Sequence, residues 1–347
     1  MKTNKIIRVA IIGCGVVGTR RKYFIEKNKS YLLIAVSDIK FKKKLSSKKN
    51  INYYKFYKDL IKKENLSAVF ITLPNYLAAK VTSLCLKKNI HVFCEKPPAR
   101  TLKEIQEVKK IKNKKTNLIL KYGFNHRYHS SIKMAKKIID SNKLGKILNF
   151  RCIYGKSKMI TFETNDWRSK RKFSGGGILL DQGIHMLDLI KYFYGEFSEF
   201  YSCISNNYWN YNVEDNAFIL LRDKKGVVAF LHSTATQWQH KFLMEITLQK
   251  GSIELGGILS GTKSYGSETL NILSKNDIKN KKKGKKYFFR ADNSWKEEIN
   301  EFSNSILKRK NKRIEGNIID AERIMLTIDK IYRADKKWYN NFIKKNQ

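Results

Sequence analysis

The chain of 347 residues has three prolines, six histidines and 30 acidic residues. So little proline, with no Ser-, Gln- or Pro-rich tract, argues against a collagen-like or low-complexity protein. No apolar run reaches the roughly 18 residues that a spanning helix needs, so no membrane role is expected. The start, MKTNKIIRVAIIGCG, lacks a long apolar segment and a small-residue cleavage site, which points to a cytoplasmic protein. Cys14, Cys85, Cys94, Cys152 and Cys203 are odd in number and show no CxxC spacing. They read as reduced, mostly buried thiols rather than a disulfide framework. His126 and His129 stand three apart without neighbouring Cys or carboxylate, so no metal is expected.

Basic residues, by contrast, abound. Lys and Arg number 71, and the formal net charge is +41. Such a balance suggests nucleic acid, but the lysines are spread along the whole length among Asn, Ile, Tyr and Phe. That is the mixture an AT-rich coding sequence produces. A nucleic-acid binder concentrates charge on one element with aromatics interleaved. The dense stretch Lys275 to Lys286 reads as a solvated loop instead. No nucleic-acid partner is expected, although so positive a surface would raise the on-rates of anionic small molecules.

The first third alternates strand and helix. Buried strand patterns at Ile6 to Ile12, Leu32 to Ser37, Ala68 to Leu73, Ile90 to Cys94 and Asn117 to Tyr122 are separated by helical segments. This specifies an α/β fold, a doubly wound parallel sheet of Rossmann type over residues 1–124. From residue 125 to 347 the strands alternate apolar with polar: Ile147 to Tyr154, Ser198 to Ser205, Ala217 to Leu221, Gly226 to Thr234, Phe242 to Leu248 and Ser252 to Leu255. Such a series predicts an α+β domain with a large, mostly antiparallel sheet, for substrate binding and oligomerisation. Helices near Trp295 to Lys308 and Ile318 to Tyr339 close the chain, with the option of packing back on the first domain.

Three constellations carry chemistry. Gly13, Gly15 and Gly18, with Val16 and Val17 between them, form a GxGxxG turn joining the first strand to the first helix. Such a turn brings backbone against a pyrophosphate at a helix N-terminus. Asp38, about 20 residues beyond at the end of the second strand, is positioned for the ribose hydroxyls and favours NAD, with NADP left open by Lys40 and Lys42 to Lys44. Glu95, Lys96 and Pro97 follow the fourth strand, where ligands bind in open α/β sheets. The proline disfavours helix at Lys96 and holds it extended at the rim. Finally, after Gly175 to Gly177, Asp181, His185 and Asp188 fall within about 60° of one another on an otherwise apolar helix. That stripe suits either water or general acid–base work by an imidazole between two carboxylates.

Taken together, GxGxxG, Thr72-Leu73-Pro74-Asn75, Glu95-Lys96-Pro97 and the GGG…Asp181-x-Gly183-x-His185-x-x-Asp188 helix are similar in order and spacing to the Gfo/Idh/MocA family of nicotinamide-dependent oxidoreductases. The resemblance spans nearly the whole chain. It implies a catalytic set of Lys96, Asp181 and His185. His185 would exchange a proton with a substrate hydroxyl, Lys96 would polarise that oxygen, and Asp181 would bind substrate and support the relay. Thr72, Pro74, Asn75, Glu95 and Lys96 would line the cofactor side. Asn125, His126 and Arg127, in GFNHRY, match the family's cleft-lining stretch, with Asn125 and Arg127 as substrate contacts. Where the family often carries a histidine three positions after Asn75, this chain has Ala78, a departure on the cofactor side.

The implied substrate is a sugar, a cyclitol or a nucleotide-linked sugar of the kind built into surface polysaccharides. Trp167 and Arg168 would contact it, Arg168 or Arg171 reading a phosphate or carboxylate. The alternative within the same fold is a catalytically silent cofactor-binding regulator. An exposed sheet face in the second domain suggests a homodimer or homotetramer.

Overall fold

β1 (Ile7–Ile12) is buried on both faces for almost its whole length, as its run of Ile and Val dictates. The computed structural model describes residues 6–42, 47–48, 50–157, 167–260, 264–308 and 314–344. The reading of Lys43 and Lys44 therefore lies outside the described residues. With β1 stand β2 (Tyr31–Ser37), β3 (Ser47–Lys48), β4 (Ile51–Tyr54), β5 (Ala68–Ile71), β6 (His91–Glu95) and β7 (Leu120–Gly123). They form one sheet in the order β3-β4-β2-β1-β5-β6-β7. Six strands run parallel, and β3 pairs antiparallel to β4. The order reverses between β2-β1 and β1-β5, so the ends of β1 and β5 flank the crevice where ligands bind in such sheets.

Residues 1–124 and 295–325 form one packing unit. Helix Ser294–Lys308 contributes Ile299 and Phe302 to its core, with Phe302 set edge-on against Phe70 and Phe93. β4 escaped the sequence reading because Asn52 interrupts a four-residue run too short for a period.

The second unit comprises residues 125–294 and 326–347. Its sheet contains β8 (Ile147–Gly155), β9 (Glu199–Ser205), β10 (Asn216–Arg222), β11 (Val228–Thr234), β12 (Lys241–Leu248), β13 (Gly251–Gly256), β14 (Glu268–Ser274) and β15 (Lys285–Phe289). The order is β15-β14-β13-β12-β8-β11-β10-β9, antiparallel except for the β8–β11 pair. Alternation is clear in β12, where every second residue from Phe242 to Leu248 is buried.

The expected loop from Lys275 to Lys286 is instead ordered. Ser274 and Asp277 form a capping box on a short helix, Lys275–Lys279, and Lys285 opens edge strand β15. Lysine density masked the pattern, and charge on an edge strand discourages pairing with foreign strands. All five cysteines are free: Cys85, Cys94 and Cys152 are buried, Cys14 is half-buried and Cys203 is exposed. Among the described residues no helix is long and apolar enough to cross a membrane.

One buried carboxylate joins two distant elements of the second unit. Glu268 accepts from the Ser131 amide at 2.9 Å, so it caps helix Ser130–Asp140, and it bonds His129 Nδ1 at 2.7 Å. Burial pushes its carboxyl up, but the His129 bond and charge and the Ser131 amide outweigh that and hold it below the ordinary carboxylate range. A depressed carboxylate stabilises above its unfolded pKa, near 4.3, and that contribution is lost as pH falls through the lower folded value. Glu268→Ala is expected to cost about 3 kcal/mol at pH 7, since it leaves buried partners behind. Urea unfolding at pH 7 and in the acid range checks this: the gap between wild type and variant should narrow as pH falls.

Candidate active site

In the first unit the glycine turn follows β1. Gly13 has φ +97°, and a side chain there would strike the Thr72 carbonyl, while Thr72 Oγ1 donates to the Gly13 carbonyl at 2.5 Å. Gly15, in contrast, faces open space, so a phosphate can approach its backbone. Helix Val16–Glu26 begins there with no side-chain cap and no acidic residue in its first turn. Its leading N–H groups and positive dipole end stand ready for an anion. Val16 is 65% exposed beside them, an apolar surface at the mouth of the turn. Asp38 is half-buried; its Oδ2 accepts from the Cys14 amide at 2.7 Å and its Oδ1 from the Lys40 amide at 3.0 Å. Thus Asp38 both shapes the turn and presents carboxylate oxygen beside it. Burial, then the charge of Asp38, pushes the Cys14 thiol up to about 11, so the cysteine is no nucleophile. Gly18 packs against Gly13, and Pro74 and Asn75 begin helix Asn75–Lys87, where Ala78 is buried. This cradle fits a dinucleotide.

The Glu95 side chain is engaged by an arginine of the same unit. Arg21, wholly buried, donates to Glu95 at 2.6 Å and to Glu298 at 2.6 Å. Its guanidinium lies between the rings of Phe93 and Trp295, at 4.4 and 4.3 Å. The Glu95 carboxylate is therefore an anchor for the end of β6, directly before half-buried Lys96.

In the second unit the polar stripe does not face water: His185 and Asp188 are buried, and Asp181 is half-buried. Nor do the two carboxylates simply bracket the imidazole. Asp181, in a π-helical turn (Leu179–Gly183), pairs with Lys156 Nζ at 3.1 Å. Asp188, in helix Ile184–Phe193, takes a bidentate bond from Arg127 at 2.8 and 2.6 Å. Arg127 is buried and ties the turn Asn125–Tyr128 to that helix. Between these pairs, the His126 ring lies flat on the His185 ring, centroids 3.7 Å apart and planes at 13°. His126 is itself fixed, Nε2 on the Tyr154 hydroxyl at 3.0 Å and Nδ1 on Asn125 Oδ1 at 3.2 Å. Burial raises the Tyr154 phenol well above its ordinary range, with Tyr265 and Asp181 adding to it.

The glycine run before the helix has a packing cause. A side chain on Gly176 would run into the Tyr332 hydroxyl. Buried Glu214 accepts from the Gly177 amide at 2.8 Å, the Leu179 amide at 3.2 Å and the Tyr332 hydroxyl at 2.6 Å, and pairs with Arg171 at 3.0 Å. Glu214 so fixes the entry of the helix that carries Asp181 and His185. Arg168 lies over the Trp167 ring at 4.4 Å. Sequence reasoning missed Arg21, Lys156 and Glu214. Arg21 had a weak signal, an arginine on an early helix turn that faces the sheet, while Lys156 and Glu214 had none.

Comparison with known proteins decides the family. Residues 7–124 match the profile described as oxidoreductase family, NAD-binding Rossmann fold, and residues 132–254 match the GFO/IDH/MocA C-terminal domain. The chain belongs to the Gfo/Idh/MocA oxidoreductases. Within the family, myo-inositol 2-dehydrogenase of Thermotoga maritima is 27% identical over 256 residues, 71% of this chain and 74% of that protein. Among solved structures, levoglucosan dehydrogenase in complex with NADH and levoglucosan superposes with a TM-score of 0.82 at 19% identity, covering 96% of this chain and 97% of that one. Myo-inositol 2-dehydrogenase from Lactobacillus plantarum gives 0.76 at 23%, covering 96% and 98%. At these identities the structural likeness shows the fold. As a Gfo/Idh/MocA member with an NAD-binding domain, the chain is an NAD(P)-dependent dehydrogenase.

Proposed function

We propose that the protein transfers a hydride between nicotinamide and a hydroxyl or keto carbon of a sugar or cyclitol, with Lys96, Asp181 and His185 as the catalytic set. The observation that carries this reading is one helix segment presenting a lysine-paired carboxylate, Asp181, and one turn on a buried imidazole, His185. The cofactor, when bound, supplies or accepts the hydride. For oxidation, neutral His185 takes the proton of the reacting hydroxyl, Lys96 donates to that oxygen as charge develops, and Asp181 accepts from a hydroxyl to orient the ring. The names of the inositol and levoglucosan relatives support a neutral ring polyol. Trp167 with Arg168 supports a larger, phosphate-bearing substrate such as a nucleotide-linked sugar. Absorbance at 340 nm with NAD and NADP, against sugars, inositols, sugar phosphates and UDP-sugars, tests the reading. Activity on none of these would overturn it.

Cofactor choice rests on Asp38. Replacing Asp38 with Ala removes the carboxylate that repels a 2′-phosphate and releases the Cys14 amide. The preference for NADH over NADPH is expected to fall by about tenfold, or 1.4 kcal/mol. Fluorescence titration with each cofactor checks it, and an unchanged ratio would remove Asp38 from the adenosine site. A homo-oligomer is supported by Tyr201, Phe218 and Leu220, exposed on one face of β9 and β10; sedimentation reads the assembly state.

A further inference from the structure

We propose that Lys156 is a positioning residue of this site, holding Asp181 ionised and in place so that Asp181 orients a substrate hydroxyl while His185 alone moves the proton. The inference rests on the catalytic roles proposed above. Lys156 Nζ lies 3.1 Å from Asp181 Oδ2, and the two side chains differ in exposure, 8% for the lysine and 30% for the aspartate. The ammonium thus stands behind the carboxylate, which faces outward. The Lys156 main chain is fixed on both sides. Its N–H donates to the Thr234 carbonyl at 2.9 Å, and its own carbonyl accepts from the Gln237 amide at 3.1 Å. It is pinned where β8 ends, against the segment following β11.

Tyr154, Tyr265 and His240 surround this ion pair. Tyr154 and Tyr265 stand close enough to Asp181 that its charge raises both phenols, after the larger effect of burial. They remain protonated and able to donate, but they carry no positive charge. His240 is lowered by burial and by the charge of Lys156, and His126 is engaged by Tyr154 and Asn125. Withdrawal from water disfavours a charged carboxylate, and an ammonium at hydrogen-bond distance favours it. Asp181 then serves as a fixed acceptor, and the acid limb of the pH profile belongs to the imidazole.

The test compares Lys156→Met, Lys156→Arg and wild type, with thermal melting as the folding control. On the polyol found by the screen, Lys156→Met should raise KM about tenfold, lower kcat by less, and move the acid limb of kcat/KM up by about one pH unit. Lys156→Arg should restore the limb, and NADH affinity should stay within a few-fold throughout. A merely structural lysine would change melting without moving the limb, and a Lys156→Met variant with wild-type KM and limb overturns the proposal. Were Lys156→Met to unfold, Lys156→Gln reads the same quantities. A second readout needs no substrate: NMR titration of ¹³C-labelled aspartate should show Asp181 shifted upward in Lys156→Met and restored in Lys156→Arg. An unmoved Asp181 signal overturns the proposal even where no substrate is turned over, whereas failure of the screen alone overturns the sugar or cyclitol reading.

Discussion

His185→Ala is expected to lose roughly 10²–10⁴-fold in turnover, the usual contribution of a placed acid–base group, while NADH still binds. His185 is 4% exposed, and its ring lies flat against His126, which fixes the plane of the imidazole. In the oxidation direction it must be neutral to accept the hydroxyl proton. The rate should therefore rise with pH through the imidazole range, ordinarily near 6.5, and that limb should flatten in the variant. Turnover against pH for both proteins, with NADH fluorescence as the folding control, is the measurement. A variant that keeps the wild-type limb would hand proton transfer to another group. One that also loses NADH would mark His185 as structural.

Lys96→Met should cut turnover about 10²–10³-fold, the range seen when one preorganised donor to a developing oxyanion is removed. The substitution keeps the side chain's length and deletes its charge. Its peptide neighbour Glu95 stays clamped by Arg21, so the end of β6 should keep its place. NADH affinity is accordingly expected to change by no more than a few-fold. Each tenfold loss in kcat/KM corresponds to about 1.4 kcal/mol of transition-state stabilisation. Single-turnover measurement of hydride transfer separates this loss from any effect on product release. Near-normal turnover would reduce Lys96 to a residue of the rim.

Features encoded over a few consecutive residues were legible in the sequence. The GxGxxG turn is one, since a positive φ at Gly13 and close packing at Gly18 admit little else. The largely apolar strands β1, β2, β5 and β6 are another, because burial on both faces of a parallel sheet leaves few polar positions. The helix bearing Asp181 and His185 was placed by its spacing, and the alternation of β8 to β13 announced a second, largely antiparallel sheet.

Partnership was decided by tertiary structure alone. Asp188 read as one of two carboxylates flanking an imidazole, yet it is bound by Arg127, 61 residues earlier. Asp181 is bound by Lys156, one lysine among 71 basic residues that nothing in the sequence distinguishes. Arg21 meets Glu298 across 277 residues, and Glu214 gathers the amides of Gly177 and Leu179, 37 and 35 residues before it. The reason is energetic. A buried charge is tolerated when a counter-charge or a set of hydrogen-bond donors stands against it. Local periodicity says which residues go inside, whereas which cation meets which carboxylate depends on where the sheets bring distant segments together.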